Sequence, residues 1–325
     1  MALLMVLWVV AFFSVVLSAF AFSMRTELDA ARNFKEEAEA ASLAEAGVAR
    51  AMAELVNVGV RCQMSDVRCW TLPVIQHPAS SIQSEEIPLG RGTYQVVVTD
   101  EEGKIPLNRA PAEVLQRLLQ NTGVTDPRLL NTLVDSILDW RDPDNLRRLS
   151  GAEEDYYRFL PQPYHPKNGD FETLEELLLV KGMTREILYG NIDDQDRLAA
   201  LLRRSPEERD LRPGEYLGIR PFLTVRSSGQ VNLNTASLEV LVALGFSSSE
   251  AQAILQSRKE APMRGRLPRA PQGLSFTTLS RTYTIESIGR LHASPIGYRI
   301  AALVVNEGAP GRPRFKVVAW EEGFK

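Results

Sequence analysis

The first 22 residues, MALLMVLWVVAFFSVVLSAFAF, carry no charge, and from Arg25 the chain runs on into an alanine- and glutamate-rich amphipathic stretch. At about 1.5 Å rise per residue the uncharged run is roughly 33 Å long, enough to cross a hydrocarbon core of about 30 Å. Proline is absent from residues 1–72. The span and the amphipathic stretch are therefore predicted to form one continuous helix of more than fifty residues, reaching to about Val56. Apolar residues recur at Met24, Leu28, Ala31, Phe34, Ala38, Ala41, Val48, Met52 and Leu55, a three-and-four spacing that makes one stripe. The first half of so long a helix must be solvated by lipid or by neighbouring helices. A cleaved signal peptide is the competing reading, because Ala19-Phe20-Ala21 has the small-x-small form that signal peptidase cuts. Against it, no Lys or Arg precedes Arg25, so the basic n-region is missing and charge asymmetry gives no orientation.

The remaining residues of this 325-residue chain suffice for one large domain or two ordinary ones. A formal net charge of −4 offers no global attraction for nucleic acid or an anionic membrane. The two cysteines, Cys62 and Cys69, follow the long helix closely. In an oxidising compartment they are expected to pair, with unpaired thiols or a contact to a neighbouring chain as alternatives; a zinc site would have to recruit His77.

Thr93–Thr99 reads as a strand by β-branched density, and Asp100–Gly103 reads as a turn into a second extended piece, Lys104–Leu107, the pattern of a hairpin. Three further strands are expected near the end: Thr282–Ile288, Tyr298–Val305 and Phe315–Trp320. Between these blocks, Pro111 to about Lys259 has helical periodicity almost throughout. Neither β block has enough strands to stand alone, so one sheet split by a long helical insertion is the simplest arrangement. A weak internal repeat brackets the insertion: GKIPLNRAPAEVL from Gly103 aligns with GQVNLNTASLEVL from Gly229. Asn108 and Asn234 are placed to begin the turn into a helix, with Pro111 or Ser237 at its first residues and a glutamate in its first turn. Two similar helix entries without a common function is the plainer explanation.

Six carboxylates fall between Asp139 and Asp155, among turn formers. They repel one another unless a cation or arginines neutralise them, and oxygen ligands from loops suit calcium better than a transition metal. The spacing is not that of an EF-hand, since Leu146 and Arg147 stand where a ligand and the obligatory glycine belong. Surface ion pairs with Arg141, Arg147 and Arg148 are the alternative. A second constellation, Leu244-Gly245-Phe246 and Leu179-Val-Lys-Gly182, resembles the helix-hairpin-helix element of DNA-binding proteins. Ser247 and Thr184 replace its second glycine, and Glu250 opposes a phosphate, so these read as packing modules. His77, His165 and His292 are scattered, no serine sits in a nucleophile elbow, and no phosphate-cradling loop occurs, so an enzyme is not expected. Trp140 and Trp320 read as core or interface anchors.

Taken in order, the uncharged span, the extended piece ending in Lys-Ile-x-Leu-Asn, Asp139-Trp-x-Asp142-x-Asp144, Gly151-Ala-Glu-x-Asp-Tyr-Tyr157, Pro163-Tyr164, Asn168-Gly169, Val180-x-Gly-Met183, Val231-Asn-Leu-Asn234 and the closing strands resemble the protein K family, the large minor pseudopilins of the type II secretion system. The resemblance covers nearly the whole chain. It implies an α+β pseudopilin fold, a long N-terminal helix on a small antiparallel sheet, with a large all-α domain inserted in the sheet region. The implied division is residues 1–22 as the membrane span, 23–108 as helix and first hairpin, 109–278 as the inserted domain, and 279–325 as the closing strands. It further implies a non-enzymatic protein at the pseudopilus tip, partnered by the minor pseudopilins I and J, spanning the bacterial inner membrane once with a periplasmic body and binding no nucleic acid. A structural Ca2+ ion is implied in the inserted domain, with Asp139, Asp142, Asp144, Glu153 and Asp155 as its ligands. The membrane-anchored DNA-binding reading and a metal-dependent hydrolase are the alternatives. Two departures stand out: no basic leader precedes Met1, and the fifth residue is Met5 where major pseudopilins carry glutamate.

Overall fold

A computed structural model describes residues 2–61, 75–76, 81–263, 267–269, 271, 274–292, 294, 297–309 and 312–324. Cys62, Cys69 and His77 lie outside the described residues. Helix α1 runs from Ala2 to Arg61 as a single element. Its residues up to Lys35 are exposed throughout, and its first part is long and apolar enough to cross a membrane.

The upper part of α1 lies across an antiparallel sheet. The strands before the insertion are β1 (Ile75–Gln76), β2 (Ser81–Gln83), β3 (Ile87–Leu89) and β4 (Gly92–Asp100). Those after it are β9 (Thr282–Leu291), β10 (Gly297–Asn306) and β11 (Phe315–Phe324). The sheet order is β1-β2-β4-β9-β10-β11, with β3 also pairing β4, so β4 and β9 join its two halves side by side. The helix packs on β4, β9 and β10 through Ala40, Leu43, Ala44, Val48 and Ala51, against Tyr94, Val96, Ile285, Ile300, Ala302 and Val304. This buried face differs from the expected stripe. Met24, Leu28 and Phe34 are exposed, and in an alanine-rich helix the face that meets the sheet is chosen by the smallest residues. Close approach requires it: a Cβ at Gly289 would overlap Ala40 O and Ala44 N, and one at Gly47 would overlap Ser287 Oγ.

The expected hairpin from Thr93 to Leu107 does not form. After Asp100 the chain makes a 3-10 turn, Glu101–Gly103, and β5 (Ile105–Pro106) leaves the sheet to pair in parallel with β6 (Leu223–Thr224). The insertion is also less helical than its periodicity suggested. Between β5 and β6 it contains α2 (Ala112–Asn121), α3 (Pro127–Arg141), α4 (Glu154–Tyr157), α5 (Arg185–Tyr189) and α6 (Gln195–Arg203). Then follow β7 (Gln230–Asn232), α7 (Leu238–Ala243), α8 (Ser248–Glu260) and β8 (Ser275–Thr277), which pairs with β7 in parallel. Long irregular segments join them around one core that includes Leu115, Leu119, Leu133, Trp140, Tyr157, Leu188, Val231 and Leu241.

The sequence repeat is a repeat of structure. Each copy is a short strand, a helix, a glycine turn and a second helix. Both first helices end identically: Gly123 N–H bonds to Gln120 O and Val124 N–H to Leu119 O, as Gly245 N–H bonds to Val242 O and Phe246 N–H to Leu241 O. Gly123 and Gly245 sit at φ +118° and +101°, the left-handed region that closes such a helix end. Neither asparagine caps its helix. The Asn108 amide instead bonds to both backbone groups of Phe171 (2.9 and 2.8 Å), and Asn234 bonds to both of Met263 (3.3 and 2.7 Å).

Candidate functional site

Helix α3 begins at Asp126, whose side chain accepts from Arg128 N–H, with Pro127 in its first turn. This start fixes the register that brings Asp139 inward at its other end, where the carboxylate is fully buried. Trp140 beside it packs edge-on to Tyr157 (5.3 Å between centroids) and stacks on Phe171 (6.4 Å), an aromatic floor beneath the loops that follow. Gly151 leaves room for Asp139, since a Cβ there would overlap Asp139 Oδ2.

The five carboxylates separate by environment. Asp139 accepts from Arg148 N–H (3.2 Å) and Arg148 Nη1 (2.6 Å), and Asp142 Oδ2 accepts from the same Nη1. Burial pushes Asp139 above the usual carboxylate range, opposed by Arg148. Asp155 lies exposed on α4, paired with Arg147 at 3.4 Å. Asp144 is exposed and accepts from Leu146 N–H (2.8 Å). Glu153 is 2 % exposed, and neither of its oxygens has a hydrogen-bond partner. Burial and then the charges of Asp139, Asp142 and Asp144 push it up to about 7. Two more buried oxygens are orphaned nearby in the fold, Asp142 Oδ1 and Asn168 Oδ1. Asn168, at φ +47°, is tied to this loop by its amide, which donates to Asp144 O (3.0 Å) and Asn145 Oδ1 (2.9 Å).

An ionised Glu153 without a donor is costly in such a place. Oxygen atoms of this kind, left without donors on Glu153, Asp142 and Asn168, suit a hard cation such as calcium better than a transition metal. Among the described residues no three carboxylate, imidazole or thiol groups are gathered as a tight preformed centre. Arginines neutralise Asp139, Asp155 and one oxygen of Asp142, the alternative to a cation that the sequence offered, while Glu153 meets no arginine. Asn168 escaped sequence reasoning because an amide oxygen adds no charge to a carboxylate cluster.

A second polar centre also escaped it. Asp100, Glu101 and Glu102 are all buried where the chain leaves the sheet. Asp100 Oδ2 accepts from the hydroxyls of Ser280 and Thr235, and Oδ1 from Glu102 N–H (3.0 Å). Glu101 accepts from Thr224 and Thr284 hydroxyls and Lys104 Nζ (3.2 Å). Glu102 accepts from Thr282 N–H (2.9 Å) and Arg281 N–H (3.2 Å). Burial pushes Asp100 up to about 7, against its hydroxyl donors; burial also pushes Glu101 up, but Lys104 and the hydroxyls outweigh it and hold it low. All three carboxylates thus hold the returning segment 280–284, and Asp100 and Glu101 add Thr235 of the second repeat and Thr224 of β6, so these segments meet at one knot. The available sequence signal was three acids at the end of a β-branched strand, separated only by Gly103 and Lys104 from the apolar Ile105-Pro106-Leu107.

The helix-glycine-helix turns present no phosphate cradle. Gly182 packs near Leu129, Thr132 and Leu133, and the Gly245 turn is closed by Ser247 and Glu250 in a capping box.

Two family models described as type II secretion system protein K match residues 96–189 and 231–266. These parts of the chain are similar to type II secretion system protein K. These two matches fall on the two repeat-bearing parts of the insertion. The type II secretion system protein K of Pectobacterium carotovorum subsp. carotovorum is 33% identical over 123 residues, 36% of this chain and 37% of that protein. A putative protein K of Escherichia coli strain K12 is 36% identical over 77 residues, 24% of this chain and 23% of that protein. The chain thus matches about a third or less of the length of these curated relatives. A crystal structure of the GspK–GspI–GspJ complex from the enterotoxigenic E. coli type 2 secretion system shares the fold, with a TM-score of 0.52 at 16% identity over 92% of this chain and 99% of the matched one. The fold is accordingly α+β, a long N-terminal helix on an antiparallel sheet with further helices.

Proposed function

We propose that this chain is a non-enzymatic minor pseudopilin that initiates and caps the type II secretion pseudopilus, anchored once in the bacterial inner membrane with its body in the periplasm. The observation that carries this reading is the split sheet: α1 is the rod on which pseudopilins associate, and β4 and β9 hold a bulky head between them. A head of that size above the rod blocks a further subunit from stacking there and makes the chain a terminal subunit of a helical assembly. In this reading residues 1–22 are the span, 23–108 and 279–325 the pseudopilin body, and 109–278 the inserted domain. Its partners are the minor pseudopilins I and J of the same system, as in the complex that shares the fold, and other pseudopilins along α1. The full chain, co-expressed with those two proteins and solubilised in detergent, is expected to purify as a three-component complex. A chain that purifies alone in the presence of both overturns the reading.

A structural calcium ion belongs to the same proposal. Glu153, Asp142 and Asn168 would hold it, with Asp144 at the rim and Asp139 fixed by Arg148 beneath; Asp155 is the weakest of the five carboxylates as a ligand because Arg147 neutralises it in solvent. The ion would supply positive charge to the buried oxygens and tie the 142–153 loop to the Asn168 loop.

A further inference from the structure

The turn Leu179-Val-Lys-Gly182 resembles a DNA-binding hairpin in sequence, but its lysine is committed inside the fold. Val180 and Met183, on either side of Lys181 and Gly182, are buried in the core of the head. Met183 N–H bonds to Val180 O (3.1 Å), and Gly182 at φ +84° closes the turn. Thr184 then caps α5, its hydroxyl accepting from Ile187 N–H (3.3 Å). Lys181 is thus carried on a turn anchored at both ends.

Its contacts bracket Glu153. The ammonium donates to Gly151 O (3.0 Å) and, at greater length, to Ser150 O (3.5 Å), carbonyls that precede Glu153 in the chain. The same ammonium stands 4.9 Å from the centre of the Tyr156 ring, and the Lys181 backbone N–H donates to the Tyr157 hydroxyl (3.3 Å), both residues following Glu153. Between these points the chain has little play. Ala152 is fully buried, and Glu153 O accepts from Tyr156 N–H (2.8 Å) and Tyr157 N–H (3.2 Å) at the start of α4. From the α3 side, Asp135 Oδ2 accepts from Ser150 N–H (3.0 Å) and Asp139 from Arg148 N–H, so the same loop is pinned there as well. The Glu153 carboxylate has no donor of its own, so its place is set by the backbone that carries it.

We propose that Lys181 is a positioning residue for the calcium site: it bonds to none of the ligand oxygens and holds the backbone on both sides of Glu153, so that the carboxylate is presented to the ion. The inference rests on the calcium reading and adds to it a residue that acts through the backbone. Two effects of opposite sign meet at Lys181. Its charge repels a divalent cation, so removing it on that ground alone tightens calcium binding. Its bonds keep the loop in one arrangement, and outer partners of a metal site are worth about 10- to 100-fold in metal affinity. Lys181 is only half-buried, so solvent screens the repulsion and the second effect is the larger.

The test is calorimetric titration of the full chain in detergent with calcium chloride at pH 8. K181M keeps the aliphatic stem and removes the donors, and the folded variant is expected to bind calcium about tenfold more weakly than wild type. K181R, which restores donors and the contact with the Tyr156 ring, should recover most of that loss. Y157F deletes only the hydroxyl that takes the Lys181 N–H; it should weaken calcium in the same direction and carries the test if K181M does not fold. A merely structural role lowers the melting temperature of K181M in chelator and leaves the calcium affinity of the folded chain as in wild type, and that result overturns the inference. Tighter binding by K181M overturns it too, since charge alone is then felt. A wild-type chain that binds no calcium, or whose binding E153Q leaves unchanged, overturns the calcium reading together with this inference.

Discussion

Arg141 and Arg258 stand at equivalent places in the two repeat units, each near the end of its second helix. Arg141 donates to the carbonyls of Leu107 and Ala110, and Arg258 to those of Leu233 and Ala236. Leu107 aligns with Leu233 and Ala110 with Ala236 in the sequence repeat. Burial lowers both guanidinium groups to about 10, far enough above neutrality that each stays charged and serves as a fixed fork. The two units therefore share a device for holding strand to helix.

Loss of either fork strands two carbonyls in the core. R141A and R258A should each destabilise the inserted domain by about 2–4 kcal/mol, read by urea denaturation of the full chain in detergent. R258K should recover only part of the loss, since an ammonium cannot span both carbonyls in the planar geometry of the fork. Similar losses at the two sites are the signature of equivalence.

Calcium should raise the melting temperature of the wild-type chain, and chelator should lower it, with E153Q insensitive to both. The comparison is made at pH 8, where Glu153 is ionised and needs a counter-charge. N168A should weaken the calcium effect more than D155N, reversing the order that formal charge alone suggests. Differential scanning fluorimetry across a calcium titration checks all three variants.

Without calcium, stability should fall as pH rises. Asp100 and Glu153 are raised to about 7 in the fold from ordinary values near 4. A raised acid binds its proton more tightly folded than unfolded, so its contribution is fully present below the unfolded value and is lost as pH climbs to about 7. Melting temperatures in chelator should drop across that window. D100N should flatten the part due to the knot and E153Q the part due to the loop.

The close contact of α1 with the sheet tolerates no added volume. G289A should destabilise the sheet by about 1–3 kcal/mol, because its new methyl group meets helix backbone that cannot swing aside. Hydrogen exchange of β9 and β10 should rise in this variant while exchange in α3 stays as it was.

Much of the fold was legible because its signals are local. An uncharged run without proline can hardly be anything other than helix, and β-branched density marked β4, β9, β10 and β11. What failed depended on partners far away in sequence. Lys104–Leu107 reads as the second arm of a hairpin until Leu223 supplies a different neighbour. Which alanines of α1 face inward is fixed by Gly47 and Gly289, not by hydropathy, since alanine at 38 or 41 differs little from alanine at 40 or 44. In the candidate site, carboxylate density located the region around Asp139. The distinction between Asp155, held by Arg147 in solvent, and Glu153, buried without a donor, belongs to packing alone.

Asp100 and Ser280 touch although they lie 180 residues apart in sequence. During synthesis, therefore, α1 and β4 emerge early, and β4 can pair at once with β2 and β3 but must wait for β9 until the head has been made. The head must bring its two ends together before the sheet can zip. Strands β9 and β10, which cover much of the buried face of α1, are made after the insertion, so that face stays open until the chain has passed Asn306.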